Sequence, residues 1–202
     1  MYNKVSRIIT SKLLSYGAIN RNDFEVYRYG IELLISLFST IFIIAIISCF
    51  IGKVIESIVY LIAFFSVRII CGGYHAKHHW SCFLTTLCTY LFYLLFYSVI
   101  IEKENLEIVL CGITLFSFIT IIMFAPVEDL NNPMSEFRKR KNKNLSIILS
   151  LTILVIFLLT CLAKNNIVEF LTPYFIGIFI SSSAILVARI EKIFFIRKEE
   201  HK

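Results

Sequence analysis

Charged side chains are scarce in this chain: Asp, Glu, Lys and Arg make up 17% of its 202 residues, while 58% are hydrophobic and the mean hydropathy is +0.80. A soluble domain carries roughly 25% charged residues. This chain therefore cannot furnish a water-facing surface, and a soluble enzyme or binding module is excluded. The net charge of +6 is accordingly read as a topology signal, and no nucleic-acid partner is expected. A cleavable leader is not expected either. Residues 1–30 are mixed and basic, no small-residue cleavage site follows, and the first long apolar run starts only at Ile31. Disulfide-framework spacing is missing too. The six cysteines (Cys49, Cys71, Cys82, Cys88, Cys111, Cys161) are scattered, mostly within apolar runs. All but Cys82 read as small buried hydrophobes.

Long apolar runs are what the chain has in quantity. They cover Ile31–Ile51, Val54–Ile70, Cys82–Ile101, Glu107–Ala125, Leu145–Ala163 and Ile167–Ala188. A bilayer core of about 30 Å takes some 20 helical residues, with roughly 17–25 tolerated. Lipid offers no partner for a bare backbone, so β-branched content notwithstanding, these runs are predicted to be helices. The expected fold is all-α: a polytopic membrane protein of about six transmembrane helices plus an N-terminal amphipathic interfacial helix. It forms one domain over 1–202, with a cytoplasmic or interfacial segment 1–30, a six-span core 31–188 and a cytoplasmic tail 189–202.

Orientation follows from the basic residues. Residues 1–30, 68–81, 126–144 and 189–202 hold seventeen of the twenty Lys and Arg, and the alternate loops hold only Lys53, Lys103 and Lys164. By the positive-inside rule both termini are expected in the cytoplasm. Near the start, Val5, Ile8, Ile9, Leu13 and Tyr16 recur at helical spacing opposite Arg7, Ser11 and Ser15. Such a helix is expected to lie on the inner leaflet, with its basic residues on anionic lipid headgroups. The proline-bounded segment 126–144 carries Arg138, Lys139, Arg140, Lys141 and Lys143. It reads either as a topology anchor or as a docking site for an acidic stretch of a partner.

One segment carries chemistry. Arg68-Ile-Ile-Cys-Gly-Gly-Tyr-His75-Ala-Lys-His78-His79-Trp-Ser-Cys82 holds three of the four histidines and the single Trp, between the second and third spans. Gly72-Gly73 is expected to end a helix, and Ser81 to cap the next. Cys82 then lies at a helix N-terminus beside His and Lys, conditions that favour the thiolate nucleophile. A nearby imidazole takes the thiol proton and later protonates a leaving amine. Spacing alone favours His78 and His79, which pair with Cys82 at i+4 and i+3. His75 lies about 10.5 Å from Cys82 along a straight helix axis and serves only if the chain folds back.

Arg68-x4-Gly73-x-His75-x6-Cys82 resembles the signature of the accessory gene regulator protein B family (AgrB) of bacterial quorum sensing. The likeness extends to the length, the six spans, the basic N-terminal stretch, and Ala125-Pro126 followed by Asn132-Pro133. The resemblance implies a bacterial cell-membrane cysteine endopeptidase whose active site faces the cytoplasm. His75 would be the base, Cys82 the nucleophile, and Arg68 and Gly73 supporting residues. It further implies a short amphipathic precursor peptide as substrate, thiolactone or lactone closure, and a homodimer. Neither a cofactor nor a metal is expected. Three rivals stand beside it. A zinc site could draw on Cys71, His75, His78, His79 and Cys82, though C-x3-H and H-x2-C fit no closed ligand set. A transporter would show inverted repeats or intramembrane acidic pairs, which the sequence lacks. A scaffold binding through 138–143 would not need Cys82.

Overall fold

The computed structural model describes residues 2–72, 79–102, 105–127, 135–162 and 165–200. The described chain forms α1 (Tyr2–Ser15), α2 (Phe24–Ile51), α3 (Val54–Cys71), α4 (His79–Ile100), α5 (Leu106–Phe124), α6 (Glu136–Leu162) and α7 (Asn165–Glu200), with a 3-10 turn at Arg21–Asp23. Helices α2 to α7 are each long and apolar enough to cross a membrane. The protein is an all-α, multi-pass membrane protein.

Local chemistry explains most boundaries. α1 ends in a Schellman arrangement: Gly17 adopts φ 69°, Ala18 N–H bonds the Leu13 carbonyl and Gly17 N–H that of Leu14, each at 3.0 Å. Gly52, at φ 75°, closes α2 in the same left-handed region. Three helices run past the apolar segments that announced them. α2 starts at Phe24 rather than Ile31, α6 at Glu136 rather than Leu145, and α7 continues to Glu200, through most of the expected tail. Hydropathy marks what lipid must cover, whereas a helix ends where a cap or breaker stands. Lys and Arg are good helix formers, and Ser135 caps α6 by accepting the Arg138 N–H at 3.4 Å.

The chain divides into two compact units, residues 1–52 with 76–90, and residues 53–75 with 91–202. In the first, α1 packs on α2. The buried face of α1 is not the apolar one: Ser6 and Thr10 are fully buried, while Val5, Ile8, Ile9 and Tyr16 are exposed. Small hydroxyls allow helices in lipid to approach closely, and the Ser6 hydroxyl donates to the buried carboxylate of Glu32 at 3.0 Å. Glu32 heads a buried stripe that recurs every four residues through Ser36, Thr40, Ile44 and Ser48. Phe38, Phe42 and Phe50 are exposed, as lipid-facing side chains should be.

The second unit is organised on α7, which packs against α3, α5 and α6. Its apolar stretch is 56% buried, against 22–33% for the other five spans. The α3–α7 crossing is tight. A Cβ built on Gly177 would lie 2.8 Å from the Tyr60 carbonyl oxygen and 3.1 Å from the Ala63 methyl. One turn on, the Ser181 hydroxyl donates to the Phe64 carbonyl at 2.9 Å, and Ser182 meets Ser117 of α5 at 3.1 Å. Ala63, Val67, Cys71, Ile121, Ala125, Val127, Ile153, Ile178 and Ile185 form one buried apolar cluster.

Candidate active site

Gly73, His75 and His78 lie outside the described residues, so the structure reports on the two ends of the motif. At its start, Arg68 occupies the last turn of α3. It is half-buried, and its guanidinium carbon stands 5.8 Å from the centre of the Phe64 ring, one turn back. α3 ends after Cys71, and Gly72 turns the chain at φ 73°, as paired glycines there require. The end is held in place. Val127 N–H donates to the Cys71 carbonyl at 2.9 Å, and Gly72 and Val127 form an isolated parallel bridge. Any Cβ at Gly72 would collide with the Val127 carbonyl oxygen. Only glycine fits that position, on conformation and on space alike.

At the other end of the motif, Cys82 lies in the first turn of α4 and is half-exposed. α4 begins at His79, so Ser81 is inside the helix and not its cap. Nothing between His79 and Cys82 breaks a helix, and the first turn simply forms earlier than the cap rule placed it. Cys82 keeps its place in the first turn of the described helix, near the positive end of its dipole. Its carbonyl accepts from the Thr86 hydroxyl at 3.0 Å.

Four of the other five cysteines differ from Cys82 in burial; Cys111, half-exposed like Cys82, lies in the second turn of α5. Cys71 is fully buried in the apolar cluster of the second unit, beside Ser146 and Lys143. Cys49, Cys88 and Cys161 are exposed rather than buried. The surface of a span is lipid, where a small apolar thiol is at home. All six are free thiols.

Arg138, Lys139, Arg140 and Lys141 sit exposed on the first turns of α6. They are helical, not part of a proline-bounded loop. Lys143 behaves differently: its ammonium donates to the carbonyls of Ile122 at 2.6 Å and Ala125 at 3.0 Å. In the sequence it is one more charge in the basic run. Its long-range partners have no local signature that could have found them.

The family described as Accessory gene regulator B matches residues 6–188. An AgrB-like protein of Clostridium perfringens (strain SM101 / Type A) is 28% identical over 162 residues, covering 78% of this chain and 74% of that protein. Accessory gene regulator protein B of Staphylococcus aureus (strain N315) is 23% identical over 157 residues, covering 78% of this chain and 82% of its own length. No solved structure matches the chain.

Proposed function

Because the chain belongs to the accessory gene regulator B family of quorum sensing, we propose that it is a membrane-embedded cysteine endopeptidase that processes an autoinducing-peptide precursor. The observation that carries this reading is Cys82 in the first turn of α4, inside the stretch the family match covers. A half-exposed thiol at the positive end of a helix, seven residues after a histidine, is suited to nucleophilic attack.

The chemistry runs as acyl transfer. An amphipathic precursor docks at the inner leaflet, with its acidic tail on Arg138, Lys139, Arg140 and Lys141. His75 takes the Cys82 proton, and Sγ attacks the scissile carbonyl. Backbone N–H groups around Gly72–His75 or at the start of α4 hold the oxyanion. As the C–N bond breaks, His75 returns the proton to the leaving amine, and the N-terminal fragment remains as a Cys82 thioester. A thiol or hydroxyl within that fragment then attacks the thioester, gives its proton to His75, and leaves as a thiolactone or lactone while Cys82 is regenerated. Thioester exchange is close to thermoneutral and hydrolysis runs downhill, so ring closure needs water excluded from the acyl-enzyme, which a membrane-embedded site provides. Arg68 and Gly73 support the motif. The working form is a homodimer in the bacterial cell membrane, with termini and site on the cytoplasmic face.

The test uses the product of a short open reading frame beside the gene, an amphipathic peptide with an internal Cys or Ser and an acidic tail, tagged at both ends. Cys82→Ala and His75→Ala are each expected to abolish cleavage, a loss of several orders of magnitude, while Cys88→Ala, Cys111→Ala and Cys161→Ala cleave normally. Wild-type turnover by Cys82→Ala would end the peptidase reading.

A further inference from the structure

Three observations meet at the exit of α3. The Lys143 ammonium, on α6, holds the last carbonyls of α5 at Ile122 and Ala125. The chain that leaves α5 runs directly from Ala125 to Val127, whose N–H holds the Cys71 carbonyl and whose carbonyl oxygen abuts Gly72. Gly72 is in turn the last described residue before the segment that carries Gly73 and His75.

A Lys among the C-terminal carbonyls of a helix completes orphan acceptors and complements the negative end of the dipole. Here the ammonium closes two acceptors at once, in a half-buried place where charge-assisted bonds are strong. Resting on the peptidase reading above, we infer that Lys143 is a positioning residue: through α5, Val127 and Gly72 it fixes the point from which the His75 segment departs. Its four basic neighbours on α6 are exposed, whereas Lys143 is half-buried. Lys143 is thus separated in role from the run in which it stands. Its bonds are to the α5 carbonyls, and in this role it acts on the base through the backbone.

That separation has a kinetic signature. Loosening the departure point misplaces the base and lowers kcat, with about a hundredfold at stake for an ångström of displacement. Substrate docking is untouched, so KM stays. The experiment measures cleavage of the tagged precursor by the full chain in lipid vesicles. Lys143→Met is expected to lower kcat by between about tenfold and a hundredfold with KM within about twofold. Lys143→Arg should recover most of kcat, because a guanidinium can donate to both carbonyls. Gly72→Ala, which presses on the same bridge from α3, should reproduce the kcat loss. The double variant should lose little more than the worse single one, since both break one link. Should Lys143→Met fail to accumulate, Lys143→Arg and Lys143→Gln carry the test: kcat falling in the order Lys, Arg, Gln at constant KM supports the assignment, and equal kcat overturns it. Wild-type kcat in Lys143→Met, or a raised KM with kcat intact, also overturns it. Those outcomes beside an inactive Cys82→Ala would leave the peptidase reading standing, whereas an active Cys82→Ala would remove the reading itself.

Discussion

At the scale of single residues, the choice among three histidines is the sharpest open assignment. His79 is the first residue of α4, and a helix from that point places its Cα one turn from Cys82 without any fold-back. The proposed mechanism gives the role to His75 instead, and Gly72 at φ 73° supplies the break in the helix that a fold-back needs. His78→Ala and His79→Ala are therefore each expected to lose less than about tenfold in kcat/KM, under ~1.4 kcal/mol. The same cleavage assay decides the matter: collapse in His79→Ala with an active His75→Ala would transfer the role. Cys71→Ala belongs to a different class. It empties a small volume in a packed cluster and is expected to lower stability by about 1 kcal/mol without removing turnover.

At the scale of elements, the α3–α7 crossing and the first turns of α6 make separate demands. Gly177→Leu drives a branched side chain into the Tyr60 carbonyl and Ala63, and overpacking of that kind costs about 1–3 kcal/mol. A lowered unfolding midpoint of the purified protein in detergent is the expected result. If the run docks the precursor as proposed, neutralising Arg138, Lys139, Arg140 and Lys141 to Gln removes contacts made equally in ground and transition states. It should raise KM, leave kcat nearly intact, and remove the salt dependence of KM that screening over about 8–10 Å gives the wild type. An unchanged KM in correctly inserted protein would reduce the run to a membrane anchor. The six spans were legible in the sequence because lipid tolerates little besides long apolar helices. Their ends were not, because Arg138 to Lys141 favour helix while looking like loop. The buried face of α1 was hidden for a related reason. Ser6 and Thr10 read as polar surface in water, yet in a membrane protein such residues mediate close helix contact. The Gly72 turn and the place of Cys82 in the first turn of α4 were legible from turn and helix rules, whereas the bonds of Val127 and Lys143 are to partners distant in sequence.

At the scale of the whole molecule, the positive-inside rule applied to the distribution of charge predicts the orientation. With both termini inside, Lys103→Cys and Lys164→Cys are expected to react with a membrane-impermeant maleimide on intact cells, and Lys141→Cys only after permeabilisation. The reverse pattern would invert the topology and place the motif on the wrong face for a cytoplasmic precursor. The central claim is covalent: Cys82 carries the substrate as a thioester before the ring closes. The most direct measurement is the intact mass of the protein, quenched in acid soon after mixing with a precursor whose internal nucleophile has been replaced by Ala so that it cannot cyclise. The expected result is a mass increase equal to the N-terminal fragment less water, released by hydroxylamine and absent from Cys82→Ala. Cleavage of the precursor by the wild type with no such adduct at any quench time, or an adduct that survives in Cys82→Ala, would contradict the mechanism.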